Sequence, residues 1–266
     1  MRGSGIVIAA VMAAIAFAAP AAAMAEEAWP SLKEALFEGK ELKDGTGVIA
    51  LEAPKRAMDA AVVPVTIRAL IPQTPEHYIK AVHLIIDQNP APVAAVFRLF
   101  PASGNATIGT RVRVNEYTNL HAVAETSDGE LHVVERFVKA AGGCSAPALK
   151  DKEQAMARLG RMQLKPMTPS TPGAVNEVQL LVSHPNYTGL QIDQLSRNWI
   201  APDYVRRVKV RYGDTPVLEA ETDISISEDP AITFSFVPTQ PAAMTVEVQD
   251  SNERRFEKSW PIGPTS

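Results

Sequence analysis

The 266 residues contain a single cysteine, Cys144. One thiol excludes an intrachain disulfide framework and an iron–sulfur cluster, which needs several thiolates. Charge of one sign is also missing: 26 Lys and Arg stand against 30 Asp and Glu, a formal net charge of −4 with no basic run. That balance argues against nucleic acid or an anionic membrane as the main partner. No glycine-rich phosphate loop, nucleophile elbow or zinc-protease helix occurs. The histidines, His77, His83, His121, His132 and His184, include no i, i+4 pair of the kind a helical metal site uses. What is present is an ordinary globular composition, 46% hydrophobic, in a length that suits one large or two small domains.

The chain opens with Met1 and Arg2, an uncharged Ala-rich stretch from Ile6 to Ala19, Pro20, and the small-x-small triplet Ala23-Met24-Ala25. This is the pattern of a cleaved export signal, and the stretch is too short for a comfortable membrane span. We expect residues 1–25 to be removed, leaving Glu26 as the mature N-terminus in a bacterial periplasm, an oxidising compartment.

A short helix is expected over Ser31–Phe37, and strands follow. Val82, Leu84 and Ile86 alternate with His83, Ile85 and Asp87; Val112 and Val114 alternate with Arg111, Arg113 and Asn115. Period-two alternation marks strands buried on one face. His83 then reads as an exposed sheet histidine, and Arg111 and Arg113 as neighbours on a solvated face or a docking patch. From Ala146 to Leu164 the pattern turns helical: Pro147 fits a first turn, and Ala155, Met156, Leu159 and Met162 recur at helical spacing, with Gly160 as a stop. Pro166, Pro169 and Pro172 then form a stiff extended linker. Alternation resumes in Val178/Leu180/Val182, Val208/Val210/Tyr212, Ile232/Phe234/Phe236 and Met244/Val246/Val248. Trp199, Tyr204 and Trp260 read as core or inter-domain packing. The fold class is all-β: two immunoglobulin-like β-sandwich domains joined by a helix and a Pro-rich linker. The boundaries are 26–144, 145–173 for helix and linker, and 174–266.

Cys144 follows Gly142-Gly143 at the end of the first half. Two glycines remove side-chain bulk and permit unusual backbone angles, so the thiol could enter a narrow cleft of another protein. A helix starting near Pro147, together with Lys139, would favour the thiolate. The bland alternative is a small buried core residue. A copper site is not expected: after Cys144 the next histidine is His184, beyond the linker, so no compact ligand loop exists. His184, before Pro185, reads as a turn residue.

Gly-Gly-Cys at the end of an exported β-domain resembles SoxY, the sulfur-carrier subunit of bacterial thiosulfate oxidation. The resemblance extends through Asp87-Gln88-Asn89-Pro90-Ala91-Pro92, Thr110-Arg111-Val112-Arg113-Val114 and Asp128-Gly129. Downstream, His184-Pro185-Asn186-Tyr187-Thr188-Gly189, Ile200-Ala201-Pro202 and Ser225-Ile226-Ser227-Glu228-Asp229-Pro230, with Phe234 and Phe236, resemble SoxZ, its partner. The whole mature chain is similar to a SoxY–SoxZ fusion of the type called quinoprotein dehydrogenase-associated SoxYZ-like carriers. The resemblance implies a carrier without catalysis of its own and without a cofactor. Cys144 would be the covalent attachment site, Gly142 and Gly143 the arm, and the two halves would pack together. Partners would be periplasmic redox or sulfur-processing enzymes, a quinoprotein dehydrogenase among them. The pattern departs from SoxY in one respect: Ser145-Ala146-Pro147 replaces the usual last glycines and the chain continues, so the arm is tethered at both ends. From the residues alone, a non-covalent accessory protein of a periplasmic dehydrogenase, or a dimer bridged through Cys144, stays open.

Overall fold

The structure, a computed structural model, describes residues 28–147 and 152–262; the expected export signal and Glu26 lie outside the described residues. Helix α1 spans Ala28–Phe37. It begins three residues earlier than the sequence pattern predicts, because Pro30 lacks only an N–H that a first turn leaves unused anyway. The first half then supplies β1 (Leu42–Asp44), β2 (Ile49–Glu52), β3 (Val63–Ala69), β4 (Ile79–Ile86), β5 (Val93–Leu99), β6 (Ile108–Val112), β7 (Thr118–Thr126) and β8 (Leu131–Val138). Helix α2 (Lys152–Ala157) leads to the second half: β9 (Met162–Pro166), β10 (Asn176–Val182), β11 (Val205–Tyr212), β12 (Thr215–Thr222), β13 (Ala231–Phe236), β14 (Ala242–Asp250) and β15 (Arg255–Ile262).

The strands form two layers, as expected for sandwiches, but both layers run through both halves. One sheet has the order β1-β8-β7-β4-β5-β12-β11-β14-β15 and the other β2-β3-β6-β13-β10-β9. The halves join where β5 pairs antiparallel with β12 (Leu99 opposite Leu218) and β6 meets β13 (Gly109 opposite Thr233). Two sandwiches thus stand side by side, fused edge to edge. Their inner faces make one hydrophobic core that runs from Ile67, Leu84 and Phe97 to Leu180, Phe234 and Val246. The alternating sets Val178/Leu180/Val182 and Ile232/Phe234/Phe236 face this core.

Four expectations are corrected. The predicted helix through Met162 ends at Ala157, and Met162–Pro166 is instead strand β9 paired with β10. As the outermost strand of its sheet, β9 tolerates Pro166, whose missing N–H costs no ladder bond on a free edge. Ile85 is buried as fully as Leu84, because α1 covers the outer face of β4; Phe37, Ile85, Val123 and Leu131 form a second cluster there. His83 lies under the same helix, half-buried with its ring edge-on to Phe37, and burial lowers its pKa. Tyr204 and Trp260 are partly buried, but Trp199 is 68% exposed rather than packed. Among the described residues no helix is long and apolar enough to cross a membrane.

Candidate functional site: the seat of Cys144

Beyond β8 the chain leaves the sheet and crosses the seam between the halves. Lys139 is still anchored, its N–H donating to Lys55 O at 3.0 Å. Then Gly142 N donates to Asn115 O (2.8 Å) and Gly143 N to Val114 O (3.0 Å). The two glycines are needed for different reasons. Gly142 has φ +79°, a left-handed conformation that costs other residues energy, with open space where a Cβ would stand. A Cβ on Gly143 would lie 2.1 Å from Ala60 O, so this backbone passes where no side chain fits.

Cys144 sits at the bottom of this passage. Its side chain is fully buried, which corrects the expectation of an accessible thiol. Pro147 itself is not helical, and the described part of α2 begins at Lys152. Burial pushes the thiol pKa up to about 11, partly opposed by the Arg113 guanidinium. Arg113 is the second surprise: it is 2% exposed, not on a solvated face. Strand β6 ends at Val112, and Arg113 turns inward, donating to Gly143 O (3.2 Å) and Asn186 O (3.4 Å). Burial lowers its own pKa, with Cys144, Glu228 and Asp59 working in the opposite direction.

The second half closes the seat. Thr188 Oγ1 donates to Cys144 O at 2.7 Å, and Gln191 Nε2 donates to Ala146 O at 2.8 Å. Gln191 Oε1 also accepts from Thr188 N, tying the two clamp residues together. The clamp loop is held by Asn186, whose φ is +43° and whose side chain bonds Ile226 O and Val205 N. His184 Nδ1 accepts from Asn186 N (3.1 Å), the turn role expected for it. Its Nε2 lies 3.5 Å from both the Asp203 and Asp250 carboxylates. One ligand atom from each of His184, Asp203 and Asp250 falls within 4.8 Å of the others, a spacing that could hold a metal ion. Arg254, however, already pairs with both carboxylates, and this buried network reads as a prop beneath the clamp. Just past the clamp the chain exposes Ile192, Leu195 and Trp199.

Three of the short motifs that looked family-like in sequence, those around Asn89, Arg113 and Ser225, meet in space. Asn89 Nδ2 donates to Arg113 O (2.8 Å) and Ser225 Oγ (2.9 Å), and its Oδ1 accepts from Asn115 N. Ser225 Oγ donates to Ala91 O and Ser227 Oγ to Ala61 O, each at 2.7 Å. These buried bonds weld the halves around the segment that carries Cys144. Sequence reasoning singled out Cys144, Gly142 and Gly143 but missed Arg113, Thr188 and Gln191 as their neighbours. Nothing local marks them; Thr188 is 44 residues away along the chain.

Comparison with known proteins agrees with this layout. Residues 33–144 match the family model for sulfur oxidation protein SoxY, and residues 164–261 that for sulphur oxidation protein SoxZ. No curated protein shows significant similarity. Among solved structures, the sulfur carrier protein SoxY from Chlorobium limicola f thiosulfatophilum is 26% identical, covering 42% of this chain and 91% of its own, with TM-score 0.36. A superoxide reductase (neelaredoxin) from Ignicoccus hospitalis is 14% identical over 41% of this chain and 90% of its own, with TM-score 0.32. The first family match ends on Cys144 itself, and the second begins within β9. The chain therefore belongs to the sulfur-oxidation carrier proteins, as a SoxY domain and a SoxZ domain fused in one polypeptide.

Proposed function

We propose that this protein, exported to the periplasm, carries a sulfur-containing group covalently on Cys144 and hands it between enzymes, without chemistry of its own. The observation that carries the reading is the position of the only thiol: it ends the SoxY domain, behind two glycines, in a seat closed by the SoxZ domain. In the closed seat the sulfur is protonated and shielded, so loading requires the segment around Gly142–Ala146 to lift out. The main-chain bonds of this segment are few and separable, and its irregular backbone can leave without dismantling a strand. Once exposed, the thiol regains an ordinary pKa near 8.5 and becomes nucleophilic. Joining a sulfur anion to it as an S–S bond releases the thiol proton and two electrons. A partner must accept those electrons, which favours redox enzymes such as a quinoprotein dehydrogenase. The exposed Leu195 and Trp199 beside the clamp would receive such a partner. Arg113, a buried cation next to the sulfur, suits an anionic passenger when the segment returns.

Intact-mass analysis of protein purified from the periplasm tests this directly. An adduct mapped to Cys144, absent from Cys144→Ser, is the expected result. The burial of the thiol also suits a non-covalent accessory protein. Full cellular activity of Cys144→Ser, with Cys144 bare in every preparation, would establish that reading and overturn the carrier.

A further inference from the structure

A second site lies on the outer face of the larger sheet, at the start of α1. A cleft of about 330 Å³ is lined by Trp29, Asp87, Tyr117, His121, Glu135 and Phe137, among others, with no lysine or arginine among its described lining residues. Four elements build it. His121 and Glu135 are cross-strand partners on β7 and β8, Asp87 directly follows β4, and Trp29 comes from α1. Asp87 Oδ2 and His121 Nε2 are 3.0 Å apart, and both residues are more than nine-tenths buried. Trp29 stacks on His121 at 3.7 Å between ring centroids and 6° between planes. Tyr117 and Phe137 stand at the rim, 54% and 44% exposed.

Two buried atoms of residues that line this cleft, each exposing less than 1 Å², have no hydrogen-bond partner in the protein: Asp87 Oδ1 and His121 Nδ1. In the tautomer that donates Nε2–H to Asp87 Oδ2 and carries no proton on Nδ1, Nδ1 is an acceptor. Both orphans are then acceptors, and Glu135 Oε2, 4.0 Å from Nδ1, is a third. Buried acceptors are costly to leave unmet, so the complement is a group with at least two N–H donors. Two carboxylates and three aromatic rings in one cleft favour a cation with a small apolar body. The first turn of α1 opposes this with about half a positive charge, which offsets only part of the two carboxylates.

We propose that the cleft binds a small protonated primary or secondary amine. Once a small shift of the lining side chains uncovers them, Asp87 Oδ1 and His121 Nδ1 accept from its N–H groups, Glu135 balances its charge, and its hydrocarbon part rests against Trp29, Tyr117 and Phe137. The site is separate from Cys144, and the inference stands whether or not the thiol carries cargo.

Calorimetric titration of the full protein with butylammonium chloride tests it, with tetramethylammonium, n-butanol and zinc chloride as separate titrants. Butylammonium is expected to bind one to one with Kd of about 1 mM or tighter, given its few heavy atoms. Tetramethylammonium, which has no N–H, should bind at least about tenfold more weakly, and n-butanol not measurably. Glu135→Gln, at an exposed position that keeps the fold, should weaken butylammonium several-fold, and Asp87→Asn should abolish binding while a far-ultraviolet spectrum confirms folding. Absence of saturable butylammonium binding overturns the proposal. So does equal binding of tetramethylammonium, binding unchanged in Glu135→Gln, or saturation by zinc in place of the amine.

Discussion

Thr188→Val isolates the clamp on Cys144. Valine matches threonine in shape but cannot donate to Cys144 O, a bond of 2.7 Å between buried groups. In the closed seat the carbonyl is left without its partner; once the segment lifts, water satisfies it. An unmet buried acceptor costs about 1–3 kcal/mol, so the opening constant rises by roughly 5-fold to 150-fold. Alkylation by dilute iodoacetamide, followed by intact mass, reports that constant when reclosing outruns reaction. The wild-type protein should react slowly, Thr188→Val faster by about that factor, and Thr188→Ser near the wild-type rate. Global unfolding is the competing route to the thiol. A remote core truncation controls for it: Val246→Ala, in the SoxZ half, should lower overall stability by about 2 kcal/mol or more. If opening is local, this change leaves alkylation unaltered. No acceleration in Thr188→Val, or the same acceleration in Val246→Ala, would refute the idea of a segment that opens by itself.

The pH profile of alkylation should be unusual. A thiol exposed at all times levels off near pH 8.5, whereas one held closed with a pKa of about 11 keeps gaining rate with unit slope past pH 9.5. The sign follows from the raised pKa: the neutral buried form stabilises the seat below the ordinary thiol pKa, and this is lost as pH rises through about 11. Segment opening, read by hydrogen exchange at Gly142 and Gly143, should therefore increase across that range. The glycines should respond differently to alanine. Gly142→Ala meets only backbone strain of about 1–2 kcal/mol and should speed alkylation roughly 5-fold to 30-fold. Gly143→Ala cannot fit against Ala60 O, so Cys144 should react nearly as fast as in unfolded protein while the melting temperature stays close to wild type. A buried, slow thiol in Gly143→Ala would contradict the described seat.

Much of the fold was legible because one-sided burial writes itself as period two. Val178, Leu180 and Val182, or Ile232, Phe234 and Phe236, announce their strands without help from the rest of the chain. Failures came where a second element altered the rule. Ile85 belongs to the outer set of β4 yet is buried, since α1 covers that face; its apolar character among His83 and Asp87 was the available hint. Lys165-Pro166 looked like linker because proline usually opposes strands, and an edge position removes that objection. The glycines before Cys144 were read as freedom from bulk for a foreign cleft. In the structure the tight passage is the protein's own, between Ala60 and Val114. Arg113 followed the alternation of Arg111 on paper, but β6 stops one residue earlier and the side chain goes inward. Exposure of Cys144 could not be judged locally, because the residues that cover it come from the other half of the chain.

The pairing of β5 with β12 and of β6 with β13 has a consequence for stoichiometry. Pulled apart, each domain would present two bare sheet margins to solvent, and such margins recruit strands from whatever chain is nearby. Encoding both domains in one polypeptide supplies each nascent SoxY domain with a SoxZ domain at high local concentration, in strict one-to-one ratio. Every copy that leaves the ribosome thus brings its own cover for those margins, whatever the abundance of its neighbours.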